Sequence, residues 1–492
     1  MNNLKFLLTF ILLISISCDS DVDFGNTNVD RDVPTNANTQ SLMAGAMNYY
    51  FTLSGRNYHT KPMLYVQYES QNTYTDEQRY NEAPVGWTGY YQYTLSNLKD
   101  IITINSADEV DDLTRTYGAT VNQIGVSKLM SALIWKRITD SWGDVPYTEA
   151  LNPEILTPAY TPQEDIYRGL IADVKAARDM LDPSLAGPTG DVIYGGDVSK
   201  WQKFANSFLL SATLQLSKKY PAADGFAATE FKAALAHSAG VIEDVDDEMW
   251  YHYSADAGTF NPFAQLRPSD YSLSIGFTDA LKGQADGSTI TYTNSTYDSR
   301  LDLFANNSAL DGQTYGVGES PSGTFAAVSA AISSVDSPLP YMTASYTYLN
   351  RAEAASMGWT TEPVQTMFVT GVEKSFETLD AHYIGDGSLA SAGSTFAAAR
   401  WLDALTNSEA QVIAEEKWVS LFPLGFDAWS EWRRTGYPVL IPSPEPFNDG
   451  TIPRRFPYPG DEPGVNTSNY HAGVSTLSPA SDNNSSRFWW DN

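Results

Sequence analysis

The sequence predicts a mainly α protein: helix pairs in series, a loop-rich insertion over 241–340 and an irregular C-terminal cap. Three observations carry this. Apolar residues recur at three- and four-residue steps in segment after segment, the spacing that places them on one helix face. Capping and breaking residues bound those segments. The segments also follow one another in pairs, a solenoid-like rhythm without a fixed repeat period.

The elements follow in order. From Ile124 onward, Val126, Leu129, Met130, Leu133, Ile134 and Ile138 share a face, and the helix should stop at Gly143 and Pro146 in DSWGDVPY. The next opens at Thr161-Pro162-Gln163-Glu164, which has the form of a capping box with proline at the first helical position, and continues through Ile166, Leu170, Ile171 and Val174. A third begins near Ser199, with Trp201, Phe204, Ala205, Phe208, Leu209 and Ala212 in register, and ends at Tyr220-Pro221. A fourth covers 229–239 and ends at Gly240. Later helices are expected over 341–357, 363–379, 396–406 and 409–421, the last opening with a second capping box, Ser408-Glu409-Ala410-Gln411.

Between the two helical sets the chain turns to Gly, Ser, Thr, Asn and Tyr, as in GQADGSTITYTNSTYDSR, which reads as a loop-rich insertion with a short hairpin. Loops carried on a rigid scaffold are where binding usually resides. From Pro438 the chain is rich in Pro, Asn and aromatics and reads as a cap wrapped over the helices. No boundary is sharp enough to divide 39–492, which is expected to be a single domain.

Lys and Arg total 30 against 59 Asp and Glu, a net charge of −29, which opposes binding to nucleic acid or anionic headgroups. One cysteine forms no intramolecular disulfide, and His59, His237, His252, His382 and His471 are scattered, so neither metal nor cofactor is expected. That cysteine follows Lys5, an apolar run over 6–16 and the small Ser17, the layout of an export signal over 1–17. The run is about half the roughly 20 residues of a spanning helix. Ser15-Ile16-Ser17-Cys18 resembles a bacterial lipobox, in which the thiol of Cys18 is acylated and becomes the first residue. The plain alternative is a secretion signal whose cysteine is discarded or left free. Residues 18–38 are polar and rich in Asn, with one Pro, and read as a flexible tether.

Catalytic signatures for phosphate loops, zincins, nucleophile elbows and dinucleotide folds are absent from the sequence. The acidic run Glu243-Asp244-Val245-Asp246-Asp247-Glu248 lacks the spacing of a calcium loop and reads as a solvated turn. Asp140, Asp144 and Glu149 are expected to terminate and cap helices. Aromatics are more telling. Tyr74, Arg79, Tyr80, Trp87, Tyr90 and Tyr91 crowd YTDEQRYNEAPVGWTGYYQY among polar side chains, and Trp250 stands beside the insertion. Aromatic faces stack on the C–H surfaces of sugars while Arg, Asn and Glu supply directional hydrogen bonds, so these seven are candidate ligand contacts. Core packing is the competing reading of each.

Three groups of segments together resemble one family: ALIWKRITDSWGDVPYTEAL (132–151); YDSRLDLF (297–304) with YMTASYTYLNRAEAASMGW (341–359); and IAEEKWVSLFPLGFDAWSEWRRTGYPVL (413–440). With the ending IPRRFPYPGDEPGVNTSNY (452–470), they are similar to the SusD/RagB outer-membrane lipoproteins. Asp298-Ser299-Arg300 departs from that family's usual Asp-Pro-Arg, and Thr343-Ala344-Ser345-Tyr346 from its acidic entry to the following helix.

The resemblance implies four tetratricopeptide-like helix pairs carrying loops that bind oligosaccharides or oligopeptides. It further implies a cell-surface nutrient-binding lipoprotein in the outer membrane, facing outward and attached through its lipid alone. Its partner would be a SusC-like TonB-dependent transporter, which receives the captured nutrient with no bond broken. Gly143, Asp144, Pro146, Arg433 and Arg434 would be scaffold residues, the arginines paired with acids. Asp19, Asp21 and Asp23, just after the cysteine, would mark export to the outer leaflet. A surface-anchored hydrolase acting on a polymeric nutrient is the alternative that shares the leader and the aromatics.

Overall fold

Helical periodicity becomes helix pairs in a computed structural model that describes residues 38–53 and 59–492. Cys18 and the segments expected as leader and tether, Asn38 apart, lie outside the described residues. Helix α1 (Thr39–Thr52) packs on α2 (Ser96–Asn105), and α2 on α3 (Thr120–Trp142). In α3, Val126, Leu129, Met130, Ile134 and Ile138 are buried, and Gly143 ends it at φ 92°, a left-handed value that favours glycine. A Cβ there would also lie 2.9 Å from that of Phe488.

α3 pairs with α4 (Gln163–Met180), and α5 (Val198–Leu214), which leans on α4, pairs with α6 (Phe226–Leu235). The insertion holds α7 (Ile275–Lys282). Beyond it α8 (Ala344–Ser356) pairs with α9 (Val364–Leu379), α9 with α10 (Ser388–Ala404), and α11 (Glu409–Ser420) packs on α8 before α12 (Gly425–Thr435).

Two helix starts are built differently from the sequence expectation, and α6 and α8 begin three residues before and after theirs. Pro162 is the N-cap of α4, and the Thr161 hydroxyl accepts the Thr148 N–H instead of closing a capping box. The first N–H of α4, on Gln163, goes to Asp144 Oδ1 at 2.8 Å, so a carboxylate from the preceding loop satisfies it. α10 starts earlier than 396, because its Ser/Ala/Gly-rich first turns carry little apolar signal. Asp380 Oδ2 caps it by accepting the N–H groups of Leu389 and Ala390 at 2.7 and 3.0 Å. Ser408 does cap α11, through the Gln411 N–H.

Short antiparallel pairs fasten the loops. β1 (Glu69–Gln71) pairs with β5 (Tyr271–Leu273), and β2 (Val145–Pro146) with β3 (Tyr160–Thr161). β4 (Met249–Tyr251) pairs with β7 (Leu339–Met342), which ties together the two ends of the insertion, and β6 (Ile290–Thr291) pairs with β8 (Val439–Leu440).

Charged residues of the family-like segments are buried in two ionic networks. Arg300 forks onto Asp298 and reaches Glu416 at 2.8 Å, while Arg400 joins Glu415 and Glu416 at 2.6 and 2.8 Å. Arg434 and Lys417 share Glu353 and Glu431. Buried charges need such partners. Arg434 thus pairs with acids as expected, but Arg433 does not. It donates to the carbonyls of Asp140 and Arg454 at 2.7 and 2.9 Å and lies 3.7 Å over the Trp429 ring, so backbone dipoles and a π face take the place of a carboxylate.

Candidate ligand cleft

Strands β2 and β3 close a loop whose side chains face the turn after Trp87, and a cleft of about 350 Å³ opens between them. Trp87 lies at its floor, 7% exposed, with its centroid 5.6 to 6.0 Å from the rings of Trp142, Tyr91, Tyr160 and Tyr458, all roughly edge to face. Such packing fixes the ring without covering it fully. The chain then makes a wide π-helical turn, Tyr90–Leu95, which brings Tyr91 to the cleft. The Tyr91 hydroxyl donates to the Pro146 carbonyl at 2.7 Å, and Trp135 supports the ring edge-on at 5.4 Å.

The walls come from far along the chain. Leu151 and Leu156 belong to the β2–β3 loop, and Glu462, Val465 and Asn466 to the C-terminal cap. Leu151 stands at φ 61°, unusual for a branched side chain. Leu156 and Val465 form apolar rims, 89% and 61% exposed. Asn466 donates to the Pro158 carbonyl at 2.9 Å, which holds cap to loop. Tyr160 donates to Glu462 Oε2 at 2.6 Å, and burial raises the pKa of that carboxyl. An aromatic floor, aliphatic rims and a few polar groups suit a ligand with one apolar face and directional hydroxyls.

Of the seven residues proposed from sequence, Trp87 and Tyr91 meet here. Tyr74 is exposed elsewhere, under the Arg267 guanidinium at 5.3 Å. Arg79 covers the Phe447 ring at 4.2 Å and donates to the Glu445 carbonyl. Tyr80 and Tyr90 are taken by the core, and Trp250 lines a different, polar cleft of about 370 Å³ beside His252 and His382. The Tyr80 hydroxyl accepts the Ser443 N–H, Tyr90 packs beside Tyr50 and Trp142, and Trp250 stacks on His382 at 3.7 Å and donates to Glu248. In the acidic run, Glu243, Asp244 and Asp247 form ion pairs with Arg351, Lys374 and Lys203, while Glu248 is buried rather than solvated. Sequence reading missed Leu151, Leu156, Glu462, Val465 and Asn466; the faint signal was LNPEILTP, an apolar patch in a turn with no partner nearby in sequence.

Over residues 31–459 the chain matches the SusD-like family model described as starch-binding, associating with outer membrane. No curated protein matches it. Among solved structures, a chitin-binding SusD homologue from Flavobacterium johnsoniae is 23% identical with a TM-score of 0.73, over 92% of this chain and 98% of that one. A SusD homologue from Bacteroides fragilis is 19% identical with a TM-score of 0.75, over 93% of this chain and all of the other. These likenesses show a shared, tetratricopeptide-like helical fold. Among the described residues no helix is long and apolar enough to cross a membrane. With the family model spanning most of its length, the chain belongs to the SusD-like family.

Proposed function

We propose that the protein is a cell-surface nutrient-binding lipoprotein that captures oligosaccharides in the Trp87–Tyr91 cleft and passes them to a SusC-like TonB-dependent transporter. Acylated Cys18 anchors it to the outer membrane, facing outward. The observation that carries this reading is the cleft itself: two aromatic rings at the floor, aliphatic rims and the polar Gln92, Glu462 and Asn466. A pyranose ring laid on Trp87 places its C–H face on the aromatic surface and turns its hydroxyls toward those polar groups. The family description and the chitin-binding neighbour support a glycan as the ligand.

Capture without cleavage is supported by Glu462, the acidic residue lining the cleft, which is engaged by Tyr160. Glycoside hydrolysis takes two facing carboxyls. Titration calorimetry with neutral chitin and malto-oligosaccharides tests the reading on the wild type, Trp87→Ala and Leu156→Asp. Leu156 is a rim residue whose replacement leaves the core intact. Both variants are expected to lose about 1–3 kcal/mol of affinity. Unchanged affinity in both, with normal melting, refutes the site.

A further inference from the structure

Leu151 also lines a second compartment of about 260 Å³, so the two cavities share one lining residue. Trp135 and Tyr147, edge to face at 4.9 Å, line this second space, and Trp135 also supports Tyr91. Its electrostatics differ from those of the first. Lys99 from α2 and Lys128 from α3 both line it, with Asp173 from α4 as its acidic residue. Lys99 donates to the Leu151 carbonyl at 2.5 Å, which leaves further N–H donors on the ammonium. Asp173 accepts from the Tyr147 hydroxyl at 3.4 Å. No carboxylate among the described residues stands within ion-pair distance of Lys99 or Lys128. Two lysines without acid partners against one carboxylate make a local positive excess in a chain of net charge −29.

We propose that this compartment is a subsite for an anionic sugar ring, one bearing a carboxylate or a sulfate, of an oligosaccharide whose neighbouring ring occupies the Trp87 cleft. The inference rests on the capture reading above and names the class of ligand. The acid group takes charge-assisted hydrogen bonds from Lys99 and Lys128, while Trp135 and Tyr147 line the space around the ring. Leu151, held by Lys99, divides the two rings. Because Lys99 is exposed and Lys128 half-buried, solvent screening limits the gain to about three- to tenfold in affinity.

Calorimetry with oligogalacturonides, their methyl esters, sulfated galactan oligomers and neutral chitin oligomers tests it, using the wild type, Lys99→Gln/Lys128→Gln, Lys128→Gln alone and Leu156→Asp. Expected is tighter binding of an acidic oligomer than of its neutral counterpart. The double lysine variant is expected to abolish that preference, and Lys128→Gln alone, which leaves the Lys99–Leu151 hydrogen bond in place, to weaken it while keeping the affinity for neutral oligomers and the melting temperature. The carboxylated and sulfated arms show which acid group is taken. Equal binding of acid and ester with no sulfate preference, or a preference that survives the double variant, overturns the anionic subsite. If neutral binding then still falls in Leu156→Asp, the capture reading stands. Absence of binding to every oligomer overturns both.

Discussion

The Tyr91 hydroxyl donates to the Pro146 carbonyl at 2.7 Å, joining the aromatic turn of the cleft to the GDVPY segment that ends α3. A segment that looks like scaffold in the sequence therefore aims a ring that lines the cleft. Tyr91→Phe keeps the ring and removes the hydrogen bond, so stability should fall by about 1 kcal/mol. Oligosaccharide affinity should fall with it by about two- to fivefold, since a looser ring is less preorganised. Chemical denaturation and calorimetry on the same sample check both.

Asp140 is a larger stake. One oxygen accepts from Tyr167 at 2.6 Å and from the Trp490 indole at 2.9 Å, and the other pairs with Lys136 at 2.8 Å. The side chain is fully buried, so it joins α3, α4 and the C-terminal end of the chain at one point. Asp140→Ala should destabilise by about 3–5 kcal/mol, because the donors it leaves are unpaired. A urea midpoint that falls with an unchanged slope is the expected readout.

Glu69 gives a pH dependence. Burial in β1 raises its pKa from 4.5 to about 8, and its Oε2 meets no donor among the described residues. Since the folded value lies above the unfolded one, its contribution is fully present below about pH 4.5 and is lost as pH rises toward 8. Glu69→Gln removes the charge and keeps the shape. Unfolding at pH 8.5 should show the variant more stable than wild type by about 4–5 kcal/mol, a difference that vanishes by about pH 4.

Cys18→Ala removes the thiol that would be acylated. Fractionation of cells should find the variant soluble, while wild type sediments with outer membranes and resists a high-salt wash. A single buried acyl chain holds weakly, so retention of the wild type through the salt wash is expected to need more than one chain on the mature terminus.

Periodicity was enough to locate most helices, because a buried stripe leaves its spacing in the sequence: Val126 to Ile138 in α3, Trp201 to Ala212 in α5. Boundaries set by distant groups were not legible. Thr161-Pro162-Gln163-Glu164 has the form of a capping box, yet the first N–H of α4 goes to the carboxylate of Asp144, beside the β2–β3 pairing. Arg433 likewise shows a positive charge in the sequence but not the carbonyls that gather around it on folding. Trp87 and Tyr91 carry the same kind of side chain as Tyr80 and Tyr90, and only the turn between them decides which line the cleft. Val465 and Asn466 lie more than three hundred residues from Trp87, so no local pattern could join them.

The location of the ligand is tested most directly by hydrogen exchange with and without a saturating oligosaccharide, using the tightest binder from calorimetry. Amides of 87–96, 147–158 and 462–466 are expected to gain protection together, because these segments line one cleft. Protection confined to the insertion over 241–340, or to the Tyr74–Arg267 surface, with no change in those three segments, would contradict it.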